Sequence, residues 1–256
     1  MKALVLAAGR GERLRPLTEK TPKVMLEVGG RPLIHYPLML LRRAGITRVA
    51  INVHHLAAKI EKALARGDGL GIEITYAPEP VLFGTGGPIL ALRGYLGDES
   101  FVVANADTIL DLDLAAMIRF HRSRGAVVTI ALHRPPNLDD YSRLEIDAEA
   151  KLRRIRLLNP KAPGGFDDYP RDLDPGVTLS AYMYCGVCVL EPAVFAMMPS
   201  TPPFSLMGDV IAPMVAKGMP ILGYVHRGFF RTVDDLKSYQ ALRAEFAANP
   251  PRLDFI

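Results

Sequence analysis

Between an apolar run at Ala3–Ala8 and the proline at 32, the sequence crowds Gly9, Arg10, Gly11, Arg13, Arg15, Lys20 and Lys23 into one stretch. Glycines admit positive φ and let backbone N–H groups approach phosphate oxygens, and the surrounding cations neutralise charge. The stretch suits a polyphosphate, although by these residue types alone an ordinary charged turn fits equally well. Two better-known phosphate loops are excluded: Leu14 stands where the dinucleotide fingerprint needs its third glycine, and no Gly-Lys-Ser/Thr follows.

A second chemical position is Asp107, which follows Phe101-Val102-Val103-Ala104-Asn105-Ala106. A carboxylate just beyond the carboxyl end of an apolar strand can meet a hard cation that bridges phosphates. The competing reading is a helix cap, for which Asp111 and Asp113 are better placed. No Ser-His-Asp or Cys-His arrangement emerges, and none of His35, His54, His55, His121, His133 and His226 has a partner at metal-ligand spacing. Cys185 and Cys188 are the only cysteines. They fall in a strand-like run, where residues three apart point to opposite faces, so a buried strand is expected rather than a redox or zinc pair. Lys151, Arg153, Arg154 and Arg156 alternate with Leu152, Ile155 and Leu157, which reads as the solvated face of a strand rather than a nucleic-acid contact.

These residues need a scaffold, and the pattern supplies one. Strands are expected at Ala3–Ala8, Arg48–Val53, Ile72–Tyr76 and Phe101–Asn105, with helices at Pro32–Ala44, Leu56–Arg66 and Gly87–Leu96. The later elements are a helix at Leu112–Arg124, strands at Val127–Leu132, Leu144–Asp147 and Met183–Leu190, a helix at Leu206–Lys217, a strand at Ile221–Val225 and a closing helix from Val233 to Ala248. Strand–helix alternation predicts an α/β, doubly wound, mostly parallel Rossmann-like sheet. Ligands of such sheets sit beyond the carboxyl ends of the strands, where the glycine–arginine loop must lie. No helix is expected between that first strand and Pro32, and so long a connection has a task. The segment 159–178, rich in proline, glycine and aspartate, reads as a lid, a binding loop or disorder.

With 256 residues and 49% hydrophobic content, the chain can bury one sizeable core, and a single domain over 1–256 is expected, with a nucleotide-binding half at 1–125 and a substrate-side half at 126–256. The formal net charge of +4 suits small anions and falls short of a dedicated nucleic-acid binder. An RNA-binding role lacks the aromatic stacking platforms it would need. No apolar run approaches a signal h-region or a membrane span, so a cytoplasmic protein without membrane association is expected.

Taken whole, Gly9-x-Gly11-x-Arg13-Leu14-x-Pro16-Leu17-Thr18 with Pro22-Lys23, then Gly29-Gly30-Arg31-Pro32-Leu33-Ile34, Gly84-Thr85-Gly86-Gly87 and Asn105-Ala106-Asp107 resembles the sugar-1-phosphate nucleotidyltransferase family. The likeness is close over the first 125 residues or so and looser afterwards. It implies transfer of a nucleotidyl group from a nucleoside triphosphate to a sugar 1-phosphate with Mg²⁺, releasing pyrophosphate. It also implies that Leu6, Ala7, Ala8, Gly9, Gly11, Glu79, Gly84, Thr85 and Asn105 bind the nucleotide, that Arg13 and Lys23 are the catalytic cations on the triphosphate, and that Asp107 is a metal ligand. Where the family has its second metal-binding aspartate, this chain has Thr232. The nearby Asp234 is expected to substitute, with Asp235 as the other candidate.

Tyr141-Ser142 and Leu158-Asn159-Pro160 also depart from the family pattern, which leaves the acceptor open. Two further readings stand beside the main one: a catalytically silent homologue that binds nucleotide and regulates a partner, and a phosphocholine-type cytidylyltransferase. The length leaves no room for the extra C-terminal β-helix of some relatives, so no acetyltransferase activity is expected. Homodimer formation is left open.

Overall fold

The structure, a computed structural model, describes residues 1–170, 173 and 176–255. The chain opens with β1 (Ala3–Leu6), α1 (Leu17–Lys20), the short pair β2 (Glu27–Val28) and β3 (Arg31–Pro32), and α2 (His35–Arg43). It continues through β4 (Arg48–Val53), α3 (Ala57–Leu64), β5 (Glu73–Pro78), α4 (Gly87–Ala91), α5 (Arg93–Leu96), β6 (Phe101–Asn105) and β7 (Thr108–Leu110). Next are α6 (Leu114–Ser123), β8 (Val128–His133), β9 (Arg143–Ile146), β10 (Leu152–Leu158), β11 (Phe166–Tyr169) and β12 (Ser180–Leu190). A π-helical turn, Leu206–Ile211, leads into α7 (Ala212–Ala216), followed by β13 (Ile221–Val225), β14 (Phe230–Thr232) and α8 (Leu236–Ala248). Each expected strand is present, three of them with the expected limits.

The chain divides into two compact units that are not the two expected halves. One comprises Met1–Leu82, Val102–Ala115 and Gly228–Ile256, the other Phe83–Phe101 and Ala116–Arg227. In the first unit β6, β1, β4 and β5 lie side by side, all parallel, with Val5 opposite both Ile51 and Ala104. Ala3, Leu4, Val5, Ile51 and Val103 have no exposed surface. This is why β1, β4 and β6 read as near-continuous apolar runs, whereas β5, at the edge, alternates. A core cluster of Leu14, Leu26, Leu33, Tyr36, Ile109, Val233, Leu242 and Phe246 ties α8, from the C-terminal part of the chain, to the loop after β1. The Tyr36 hydroxyl donates to the Val28 carbonyl at 2.6 Å, and Tyr36 meets Phe246 edge to face.

The loop after β1 is more ordered than its sequence suggests. Helix α1 and two 3₁₀ turns, Glu12–Leu14 and Lys23–Met25, occupy the stretch expected to hold no helix. Prolines at positions 16 and 22 sit just before a helical turn, where the missing N–H costs nothing. Burial of Leu14 and Leu26 replaces the periodicity that a longer helix would have shown.

In the second unit β12 pairs antiparallel with β8 and β9, β9 with β10, and β10 with β11, while β8 and β13 run parallel. The basic run lies on β10, as expected of a strand face. Arg154 pairs with Glu145, and Arg156 with Asp168 at 2.9 Å. Part of segment 159–178 is therefore structured as β11, whereas residues 171, 172, 174 and 175 lie outside the described residues. Cys185 and Cys188 are buried and not joined in a disulfide, and burial pushes the Cys185 thiol up. Among the described residues, no helix is long and apolar enough to cross a membrane.

Candidate functional site

The site begins where β1 ends. Gly11 adopts φ +64°, a left-handed conformation that glycine tolerates, and a side chain there would meet Thr18 Cγ2 at 2.9 Å and Lys23 Cβ at 3.0 Å. The Thr18 hydroxyl donates to the Gly11 carbonyl at 2.8 Å, and His55 Nε2 lies 2.9 Å from the Thr18 carbonyl. A carbonyl only accepts, so His55 carries its proton on Nε2 and holds the loop toward the end of β4. The turn is thus packed from behind, which fixes Lys23 as well as the glycine.

Opposite the turn, Asp107 follows β6 and precedes β7, so it is not a helix cap. Its Oδ2 is 2.5 Å from Lys23 Nζ. The Asp107 carbonyl accepts from the Val233 N–H at 3.2 Å, which brings the residues after β14 alongside. Asp234 then points at the same place: its Oδ1 is 3.8 Å from Arg13 Nη2. Burial pushes the Asp234 carboxyl above the ordinary aspartate value, Lys23 pulls it down and the Asp107 charge pushes it up again. Two carboxylates and two cations therefore share one electrostatic neighbourhood.

A cavity of about 410 Å³ joins these groups, lined by Leu6, Ala7, Gly9, Arg10, Gly11, Glu12, Arg13, Lys23, Val24, Leu82, Asp107 and Asp234. Its character is graded, with Leu6, Ala7, Val24 and Leu82 apolar and the remainder mostly charged. Arg15 and Lys20, expected among the phosphate cations, do not line it. Ala8 and Asn105 are also outside the lining, the latter accepting from the Thr108 hydroxyl at 3.3 Å through its carbonyl.

Glu79 is buried one layer back, where its Oε1 accepts from Asn52 Nδ2 at 2.8 Å. Asn52 Oδ1 in turn accepts the Ala7 N–H at 2.8 Å. Asn52 escaped the sequence reading. The signal was one polar residue inside the apolar run Val49–Val53, which must find partners once buried. Gly84 and Thr85 belong to the second unit, where the Thr85 hydroxyl oxygen accepts from the Leu206 N–H at 2.9 Å.

The two candidates for the second carboxylate separate cleanly. Asp235 is the N-cap of α8: its Oδ1 accepts from the Ser238 N–H at 2.7 Å in a capping box, and these hydrogen bonds hold its carboxyl below the usual range. Thr232 pairs with Thr108 across β14 and β7 and does not line the cavity. No group of three or more His, Cys, Asp or Glu side chains that could hold a metal is found among the described residues.

Parallel strands, a glycine turn carrying cations, and a facing pair of carboxylates define an α/β protein with a charged pocket at the carboxyl ends of its sheet. The sequence profile of the nucleotidyl transferase family matches residues 2–245, and the chain belongs to that family.

It is 30% identical over 233 residues to a UTP–glucose-1-phosphate uridylyltransferase of Synechocystis sp., covering 86% of this chain and 56% of that protein. It is 47% identical over 117 residues to an N-acetylmuramate alpha-1-phosphate uridylyltransferase of Neisseria meningitidis, covering 45% of this chain and 51% of that one. A mannose-1-phosphate guanylyltransferase of Mycobacterium tuberculosis is 31% identical over 230 residues, 90% of this chain and 60% of its own. The chain thus spans little more than half the length of the curated relatives it matches. Among solved structures, a Bacillus anthracis chain described as a glucose-1-phosphate thymidylyltransferase superposes with TM-score 0.79 at 21% identity, covering 95% of this chain and 94% of that chain. HddC from Yersinia pseudotuberculosis, complexed with GMP-PN, gives 0.74 at 21% identity over 96% and 99%. These likenesses establish the fold.

Proposed function

We propose that the chain is a sugar-1-phosphate nucleotidyltransferase, which joins the α-phosphate of a nucleoside triphosphate to a sugar 1-phosphate and releases pyrophosphate. The observation that carries this reading is the convergence of Gly9, Gly11, Arg13, Lys23, Asp107 and Asp234 on one cavity. The uridylyl- and guanylyltransferase relatives support the same class of reaction.

A sugar 1-phosphate has a second pKa near ~6 and arrives largely as a dianion, so its oxygen needs no general base. That agrees with a pocket of charged groups and no proton-shuttling constellation. The work left to the protein is positioning and charge neutralisation. Backbone N–H groups at Gly9 and Gly11 approach the triphosphate, and Leu6, Ala7 and Leu82 cover the apolar nucleoside. The acceptor oxygen attacks the α-phosphorus in line, the bond to the bridging oxygen of the β-phosphate breaks, and Arg13 and Lys23 stabilise the departing pyrophosphate.

Asp107 and Asp234 fit a divalent cation: both offer carboxylate oxygens, both line the cavity, and the Asp234 carboxyl is raised first by burial and then, against the pull of Lys23, by the Asp107 charge. When bound there, Mg²⁺ supplies Lewis-acid charge neutralisation at the reacting phosphates. Asp234 thereby takes the place of the carboxylate missing at Thr232. Glu79, held by Asn52, and with Ala7 on the same network, sets the base edge from behind, while Ala8 and Asn105 complete the nucleotide-binding set of the first unit.

The experiment is a screen of the four nucleoside triphosphates against a panel of sugar 1-phosphates and phosphocholine, reading pyrophosphate release. Turnover with one sugar 1-phosphate pair supports the reading. Binding of nucleotide without any turnover favours the silent regulator suggested by Thr232, and turnover with phosphocholine alone favours the cytidylyltransferase. Lys23→Ala should lose on the order of 2–4 kcal/mol of transition-state stabilisation.

A further inference from the structure

Each carboxylate of the pocket is already answered by one of its own cations. Lys23 Nζ is 2.5 Å from Asp107 Oδ2, with side-chain exposures of only 12% and 26%. Arg13 Nη2 is 3.8 Å from Asp234 Oδ1, more loosely and with Arg13 72% exposed. The half-buried Lys23 pair is little screened by water, unlike the outer pair. An ammonium seated on Asp107 occupies the lone-pair region that a metal ion would use. The same Lys23 is the group that a triphosphate would recruit.

Resting on the nucleotidyltransferase reading, we propose that Lys23 is a resident counter-ion that closes the metal site until a triphosphate draws it away, so that polyphosphate and divalent cation bind as a coupled pair. A metal alone must displace a covalently tethered cation and then leave that ammonium beside its own positive charge. A triphosphate alone strips Asp107 of its partner and leaves it facing Asp234, an arrangement of like charges that favours cation entry. Each ligand thus removes the obstacle to the other, and by linkage the gain is reciprocal. Gly11 contributes by packing: a β-carbon at that position would lie 3.0 Å from Lys23 Cβ, so the turn that meets phosphate also sets where the lysine stem leaves the backbone.

The test measures binding, not turnover. Free Mn²⁺ is followed by electron paramagnetic resonance during titration of the full chain, without nucleotide, for wild type, Lys23→Met, Lys23→Arg and Asp107→Asn. Tripolyphosphate binding is measured separately in the presence of a chelator. The expected result is Mn²⁺ affinity raised on the order of tenfold in Lys23→Met, no gain in Lys23→Arg, and weaker tripolyphosphate binding in Lys23→Met. Lys23→Arg, with the cation kept, also shows that a gain in Lys23→Met does not come from loosened packing. Equal or weaker Mn²⁺ binding by a folded Lys23→Met protein overturns the counter-ion role. If wild type binds Mn²⁺ in a way that Asp107→Asn abolishes, yet Lys23→Met gains nothing, the lock alone fails. If Mn²⁺ binds to none of the proteins, with or without a nucleoside triphosphate, the site reading itself fails and takes the lock with it.

Discussion

Asp234 and Asp235 are adjacent and chemically identical, yet their surroundings pull them apart. Asp235 spends its carboxylate on the first turn of α8, whereas Asp234 keeps its own for the cavity. Asp235→Asn, which retains a good capping residue, should leave metal-dependent turnover near wild type. Asp234→Asn should reduce turnover by at least about tenfold, the least that loss of a group merely supporting a metal ligand costs, and weaken its magnesium dependence. Steady-state rates across a magnesium titration check both, and a normal Asp234→Asn profile would return the second ligand to an unidentified group.

The same residue carries a stability signature. A carboxyl raised by burial holds its proton more tightly when folded than when unfolded, so ionising it at neutral pH destabilises the fold. Asp234→Asn should therefore melt higher than wild type at pH 7. The difference should shrink as pH falls toward the ordinary aspartate value and vanish below it, where the carboxyl is protonated in both states. Lys23 and Arg13 lower the carboxyl while Asp107 and Asp235 raise it, so the net upward shift stems first from burial and should change little with salt. A metal ligand that weakens the fold, as proposed for Asp234, fits the common trade between activity and stability.

At the scale of elements, the loop from Gly9 to Leu26 is where the sequence was informative about chemistry and poor in conformation. Its glycines, arginines and lysines are the residue types of the proposed phosphate site, and the parallel strand set puts the loop at the carboxyl end of the sheet, where ligands of such sheets bind. Its helical turns were invisible because contacts outside their own period hold them: Leu14 packs in the cluster with α8, the Thr18 hydroxyl bonds back to Gly11, and His55 reaches the Thr18 carbonyl. Periodicity cannot register a three-residue turn. The Asn52–Glu79 link was hidden for a related reason, since two residues 27 positions apart make a pair only once β4 and β5 align. Gly11→Ala tests the element directly. It imposes a left-handed alanine, a cost of roughly 1–2 kcal/mol, and crowds Thr18 and Lys23. The expected outcome is a large loss of triphosphate affinity with a modest drop in melting temperature, measured by calorimetry on the same preparation. A fall in stability with unaltered affinity would mean that the turn does not shape the phosphate site.

At the scale of the molecule, strand identities and the family signature were legible because they are local, while the division into units was not. The chain leaves the first unit after Leu82, returns for Val102–Ala115, and returns again from Gly228. No composition shift marks those crossings, and the expected cut near residue 125 follows the sequence instead of the contacts. The last crossing matters most for function. It brings Asp234 and α8 back to the amino-terminal loop, so a residue 127 positions from Asp107 joins the same cavity.

That return makes ligand binding and folding of the first unit one equilibrium. A ligand held by the native state alone stabilises it by about 2.7 kcal/mol at one hundred times its dissociation constant. For a chain of this size that corresponds to a rise of roughly 5–10 °C in melting temperature. Under the proposed function, the cognate nucleoside triphosphate with Mg²⁺ should produce such a shift and the other three much less, so a melting screen identifies the base independently of the acceptor. Under the coupled binding argued for Lys23, Mg²⁺ alone should scarcely move the transition, and Asp107→Asn should remove the part of the shift that depends on metal. Four equal shifts would mean that the pocket reads the polyphosphate and ignores the base, which would detach Glu79 and Asn52 from recognition and leave them as structural supports of β1.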